Sequence, residues 1–178
     1  MMKNVLLSIL IFGLFFGCGE RRSVSTKPDI IPVPLKLEMK EGGFRINGKT
    51  DIVYSSDDEE VKRVATFLAE RLSRLTGKNH DVSAIPGDPS RNSIYLALDK
   101  SLTYELGEEG YLLAVLPEGI RVKSAAPAGL FYGMQTIYQL LPPEIYNSEQ
   151  KQAKSPDLEI PCMEIKDKPS FSWRGMHL

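Results

Sequence analysis

The sequence predicts an α+β fold: a mostly antiparallel or mixed sheet with two helices packed on one face. Three observations carry this. Short strands with period-two alternation recur along the chain. Two longer segments replace that alternation with a helical period. Hairpin-type turns join several of the strands directly. With 178 residues, 42% apolar and 25% charged, the chain can bury one sizeable core. Net charge is −1, and Lys and Arg are scattered without a basic stripe, so nucleic acid is not an expected partner.

Residues 1–17 stand apart from this fold. In MMKNVLLSILIFGLFFGC the apolar run Val5–Phe16 is interrupted only by Ser8 and Gly13. The run is shorter than the roughly 20 residues a helix needs to span a bilayer, and it matches the apolar core of a secretory signal peptide. Gly17 directly before Cys18 resembles a bacterial lipoprotein signal, in which the cysteine becomes the lipidated first residue; Phe15 stands where leucine is usual. Ordinary signal cleavage near Gly17 is the alternative. On the first reading the protein is exported, a cell-envelope lipoprotein of the periplasm or outer membrane, held to the membrane by lipid on Cys18. Residues 18–29 are polar and unpatterned and read as a flexible tether. Cys162 is then alone and makes no internal disulfide.

The folded part begins with IIPVPLKLEMKEGGFRI. Leu35, Leu37 and Met39 alternate with charged residues, and Glu41-Gly42-Gly43 precedes Phe44 and Ile46, which predicts a hairpin. TDIVYSS is a second short strand. SDDEEVKRVATFLAERLSRLTG follows as a helix, with Val61, Val64, Ala65, Leu68, Leu72 and Leu75 on one face. Ser56 or Asp57 is its expected cap, Asp57 to Glu60 complement the dipole, and Gly77 ends it. Residues 83–92 read as a loop, and SIYLAL as a compact strand. GYLLAVLPEGIRVKSA is a hairpin turning at Pro117-Glu118-Gly119. PAGLFYGMQTIYQLLP is a second helix with Leu130, Met134, Ile137, Tyr138 and Leu141 on its apolar face, closed by Pro142-Pro143. Gly129 and Gly133, four apart, predict close approach of this helix to the sheet, at a cost in helix propensity that packing must offset. LEIPCMEIKD is the last strand.

Candidate chemistry is sparse. The two histidines, His80 and His177, are far apart, and no Cys/His cluster has metal spacing. There is no phosphate loop, nucleophile elbow or dinucleotide fingerprint, and no cofactor is expected. The acidic group Asp57-Asp58-Glu59-Glu60 sits at a helix start, where dipole complementation explains it better than acid/base catalysis. Arg174 follows Trp173 and precedes an apolar run; its planar fork suits bidentate bonding to paired hydroxyls or a carboxylate.

Three stretches, IIPVPLKLEMKEGGFRI, GYLLAVLPEGIRVKSAAPAGLFYGMQTIYQLLP and IPCMEIKDKPSFSWRG, resemble the beginning of family 20 glycoside hydrolases, the β-N-acetylhexosaminidases. The middle stretch is the most specific, and the resemblance covers essentially all of residues 30–178; Ser170-Phe171 departs from it, since arginine is common before the phenylalanine. The resemblance implies that residues 30–165 form the family's non-catalytic α+β domain. Residues 166–178 would be a linker and the truncated first strand of a (β/α)₈ barrel. By the same match Arg174 would bind sugar hydroxyls. The catalytic Asp and Glu of the family's substrate-assisted retaining mechanism would lie beyond residue 178, leaving no catalytic residue in this chain. Implied partners are glycans ending in N-acetylglucosamine or N-acetylgalactosamine, engaged through the barrel. The other reading is a stand-alone lipoprotein module that binds a glycan or a protein without catalysis, for which a large apolar or aromatic patch on the sheet face is the expected mark.

Overall fold

The computed structural model describes residues 27–89, 91–142, 158–171, 173 and 175. In chain order these residues form β1 (Lys36–Ile46), β2 (Asp51–Ser55), α1 (Glu59–Thr76), β3 (Val82–Ala84), β4 (Ser93–Leu98), α2 (Thr103–Leu106), β5 (Tyr111–Leu116), β6 (Gly119–Ser124), α3 (Pro127–Leu140) and β7 (Leu158–Asp167). The seven strands make one sheet in the order β1-β7-β5-β6-β4-β2-β3. The β1–β7, β7–β5 and β5–β6 pairs are antiparallel; β6–β4, β4–β2 and β2–β3 are parallel. The sheet is therefore mixed, and α1 and α3 lie on one face of it, as the alternation and helical periods predict.

The expected hairpin over residues 35–46 does not form. These residues make one strand, paired along its length with β7. Met39 faces Met163 and Gly43 faces Pro161, so Lys40, Glu41 and Gly42 stand opposite Cys162 alone in a bulge. Gly42 has φ 96°, which a side-chain-bearing residue rarely adopts. The physical reason lies in the next connection. Residues 47–50 must carry the chain from β1 to β2, five places along the sheet and about 24 Å in a flat one. The five steps from Ile46 to Asp51 reach at most about 18 Å. The β1–β7 ribbon must bend, and the bulge bends it beside Pro117 at the tip of the β5–β6 hairpin. Core-facing parity flips accordingly: Leu37 and Met39 pack on the core before the bulge, Phe44 and Ile46 after it.

Asn92 secures that arrival. It has φ 50°, tolerable for asparagine. Its Nδ2 donates to Lys49 O at 2.6 Å, its Oδ1 accepts from Thr50 Oγ1 at 3.0 Å, and its N–H donates to Glu118 O at 2.6 Å. One side chain and its backbone thus tie the β1–β2 link, the start of β4 and the β5–β6 turn.

In α1 the cap is Asp58, not Ser56 or Asp57. Asp58 Oδ1 accepts from Glu60 N at 2.8 Å, while Ser56 Oγ accepts from Asp58 N at 3.0 Å and closes the preceding turn. Gly77, at φ 67°, ends the helix as expected. Part of the expected 83–92 loop is strand: Val82–Ala84 pairs in parallel with β2 at the sheet edge. Three residues give too little periodicity to reveal it. The same brevity hid α2 and the 3₁₀ turn before it, Lys100–Leu102.

α3 lacks a side-chain cap and starts at Pro127, whose absent N–H costs nothing there. Its glycines act as expected. A Cβ on Gly129 would lie 2.3 Å from Gly110 O, and one on Gly133 would lie 2.5 Å from Val122 Cγ1. Hydrogen bonds cross this tight seam, Tyr111 OH with Thr136 Oγ1 at 2.6 Å and Gly129 N–H to Glu108 O at 3.1 Å. Leu130, Met134, Ile137 and Leu140 bury into the core that α1 and the sheet complete.

Two outcomes follow from the seam. Gly→Ala in an exposed helix stabilises by about 1 kcal/mol, whereas overpacking costs about 1–3 kcal/mol. Gly129→Ala and Gly133→Ala are therefore expected to lower the melting temperature, Gly129→Ala more, because it meets a backbone oxygen that cannot rotate away; calorimetry reads both. Burial pushes the Tyr111 phenol up to about 12. The folded state thus holds this proton more tightly than the unfolded chain, whose tyrosines ionise near 10. Its contribution is full below pH 10 and disappears as pH rises to about 12. Denaturant titrations of wild type and Tyr111→Phe are expected to show an alkaline loss of stability that is smaller in the variant.

Candidate binding surfaces

Of the residues singled out from sequence, Cys18, Arg174 and His177 lie outside the described residues. The acidic group at 57–60 is accounted for by the helix: Asp58 caps it, Glu59 pairs with Lys62 and Glu60 with Arg63. His80 is buried, with Nδ1 2.8 Å from Thr50 O and Nε2 3.0 Å from Thr76 Oγ1, so it fastens the end of α1 to the β1–β2 link. The buried Cys162 thiol is pushed up by burial, away from the reactive thiolate. Among the described residues no group of three His, Cys, Asp or Glu is placed to hold a metal. Among the described residues the buried polar side chains are Thr50, His80, Ser93, Ser124 and Thr136, none of them a carboxylate of the kind a glycosidase uses as its acid.

What the structure presents instead is two contrasting surfaces. The helix layer exposes several large apolar side chains beside the charged outer face of α1. Phe67 of α1 and Phe131 and Tyr132 of α3 are exposed, and the segment leading into β1 adds Ile31 (78% exposed), Val33 (79%) and Leu35. That segment is fixed at both ends. Gln139 accepts from Ile31 N at 2.9 Å and donates to Ile31 O at 3.0 Å, replacing a strand partner with one amide side chain. Leu35 N donates to Asp167 at 3.2 Å. Tyr138 OH donates to Phe67 O at 3.3 Å, and Arg71 lies over the Tyr138 ring. Phe171 and Trp173, beyond β7, are exposed too.

The helix-free face of the sheet is charged over β1, β7, β5 and β6, while on its β4–β2 side Val53, Tyr95 and Ala97 form a small apolar cluster with Ile85. Strand register aligns Lys36, Lys166, Leu112 and Lys123 in one row, and Glu38, Glu164, Ala114 and Arg121 in the next. Between them lies a depression of about 360 Å³ with Leu112 and Ala114 at its centre. Like charges directly opposite are unfavourable, and the rows relieve this diagonally. Lys40 sits 2.8 Å from Glu38 and 3.7 Å from Glu164, and Lys36 lies 3.4 Å from Glu38. Lys40, and after it Lys36, hold the Glu38 carboxyl below its ordinary value. Arg121 Nε lies 2.8 Å from both oxygens of Asp88, and Lys166 pairs with Glu105. The alternating charges K-x-E-x-K, E-x-K and R-x-K were visible in the sequence, but their alignment needed the register.

Residues 27–168 match the family model described as glycosyl hydrolase family 20, domain 2. The chain belongs to glycosyl hydrolase family 20. Over 150 residues it is 37% identical to a β-hexosaminidase of Porphyromonas gingivalis, covering 84% of this chain and 18% of that protein. A lacto-N-biosidase of Bifidobacterium bifidum is 29% identical, over 86% of this chain and 12% of its own length. Among solved structures, the family 20 β-N-acetylhexosaminidase of Streptomyces coelicolor superposes with a TM-score of 0.69 at 31% identity, covering 84% of this chain and 29% of that one. The chain thus spans less than a third of each of these relatives. Its exposed apolar residues Phe67, Phe131 and Tyr132 stand on the helix layer, while the sheet face over β1, β7, β5 and β6 carries charge.

Proposed function

We propose that this chain is the N-terminal accessory part of an exported family 20 β-N-acetylhexosaminidase, which removes terminal N-acetylglucosamine or N-acetylgalactosamine from glycans. The observation that carries the reading is a domain-2 match over residues 27–168 in a chain that spans only 18% of its P. gingivalis relative. Residues 30–165 are the supporting layer, and residues 166–178 lead into a (β/α)₈ barrel whose first strand opens at Trp173-Arg174-Gly175. Arg174 holds sugar hydroxyls there with its planar fork. The catalytic pair belongs to that barrel. The substrate's acetamido oxygen attacks the anomeric carbon while a Glu protonates the leaving oxygen and an Asp orients the acetamido group, with retention of configuration. The exposed residues Ile31, Val33, Phe67 and Phe131 are the face that meets the barrel, which buries the remaining apolar area at about 25 cal/mol per Å². Residues 1–17 are a signal peptide, Cys18 the lipidated residue and 18–29 the tether that holds the enzyme at the cell envelope.

A domain exchange tests this. Residues 27–168 are placed in the P. gingivalis β-hexosaminidase in place of its matching segment. The chimera is expected to hydrolyse an aryl N-acetyl-β-glucosaminide, while this chain alone gives no turnover. Ile31→Asp with Val33→Asp, both nearly four-fifths exposed, is expected to lower the chimera's melting temperature by roughly 2–4 °C per kcal/mol of lost burial and to leave the isolated chain unchanged. Turnover by this chain unaided, abolished by a substitution within it, would sink the proposal. For the anchor, Cys18→Ser is expected to move the protein from the membrane to the soluble fraction of a bacterial host; wild type that takes up no labelled fatty acid contradicts it.

A further inference from the structure

We propose that the depression on the helix-free face binds an acidic glycan segment bearing sulfate or carboxylate groups. Four cations line it, Lys36, Arg121, Lys123 and Lys166, against one acid, Glu164. They do not converge on a point. Leu112 lies between Lys166 and Lys123 in the register, which sets those two backbones two strand spacings apart, about 9.6 Å. A lone phosphate would meet one or two of these charges. An extended chain of pyranose rings meets them all, with its anionic groups on the lysines and an apolar ring face over Leu112 and Ala114.

The lysines are available for exchange. Lys36 and Lys166 are held by solvent-exposed pairs with Glu38 and Glu105, and such pairs exchange readily because water screens them. Lys123 is exposed and has no ion pair among the described residues; Asp99 is the acid on which its charge acts. Arg121 keeps Asp88 and serves as a fixed wall, its side chain only 18% exposed. Glu38, Glu105, Asp88 and Glu118 surround the depression and disfavour a broad anionic plane such as a membrane, while a narrow chain lies between them. Because the whole chain carries net charge −1, its overall field draws no polyanion, and binding depends on this patch. The choice of a glycan as the anion rests on the family reading above.

The test uses the full chain and a heparin hexasaccharide, followed by calorimetric titration and by the amide signals of Leu112, Ala114 and Lys123. Saturable binding is expected, weakening between about 50 and 200 mM salt. Lys36→Glu with Lys123→Glu is expected to reduce affinity about tenfold or more with the melting temperature unchanged. Lys62→Glu, on α1, is expected to leave binding intact. Absence of binding, equal loss in Lys62→Glu, or equal binding of a neutral chitin hexasaccharide overturns the proposal. So does binding of phosphatidylglycerol vesicles with the same dependence on Lys36 and Lys123. An active chimera with no heparin binding removes this site alone. An inactive chimera with heparin binding that follows the variants removes the enzymatic reading and leaves the site.

Discussion

The short link between β1 and β2 governs the architecture. Residues 47–50 are too few to cross a flat sheet from its first strand to its sixth, so the sheet has to fold over the end of the β5–β6 hairpin. The bulge at Gly42 opposite Cys162 supplies the bend, and Asn92 locks the far side. Phe44, Ile46, Leu158 and Ile160 owe their places in the core to this turn. Without it they would sit on a ribbon running past the hairpin, and the core beneath α1 and α3 would lack one wall.

A second constraint, the close seat of α3, fixes what the outside of the molecule looks like. Gly129 and Gly133 bring the helix backbone down onto Gly110 and Val122, so side chains around the rest of α3 are carried outward as a shallow layer. Phe131 and Tyr132 stand on that layer because the inner positions are taken by Leu130, Met134 and Ile137. Local helix propensity is sacrificed at two positions, and the tight seam returns more than it costs.

Much of this was legible in the sequence. α1, α3 and the β5–β6 hairpin were readable because each carries several turns of period or a two-residue turn between alternating strands. The glycine pair in α3 was readable because two glycines on one helical face have few other uses. The β1 bulge was not. Gly42-Gly43 carries the same local chemistry as a hairpin turn, and only the length of a downstream link, combined with a strand order unknown beforehand, separates the two. The charged rows were hidden for a related reason. Lys36, Lys123 and Lys166 are far apart in sequence, and each alone reads as a solvated strand face; register sets them in one row across the sheet. Cys18, read from the signal-like segment, and Arg174, read from the family resemblance, lie outside the described residues.

The two surfaces differ in a way that bears on the proposed roles. The helix layer presents apolar side chains on pinned backbone: Gln139 grips Ile31 from both sides, and Tyr138 reaches Phe67. Ordering has therefore been settled before any partner arrives, and association there avoids the loss of loop and rotamer freedom that usually offsets buried area. Such a surface suits a permanent neighbour in the same polypeptide. The sheet face works the other way. Its charges sit in exposed, exchangeable pairs whose individual worth is small, over a floor of Leu112 and Ala114 that no element covers among the described residues. A surface of that kind releases what it binds, and its affinity falls with salt because the contacts are screened. Rigid apolar support on one side and weak ionic capture on the other are compatible within one domain because the sheet separates them: the main core lies between the sheet and the helices, and the small Val53, Tyr95 and Ala97 cluster lies on the far face.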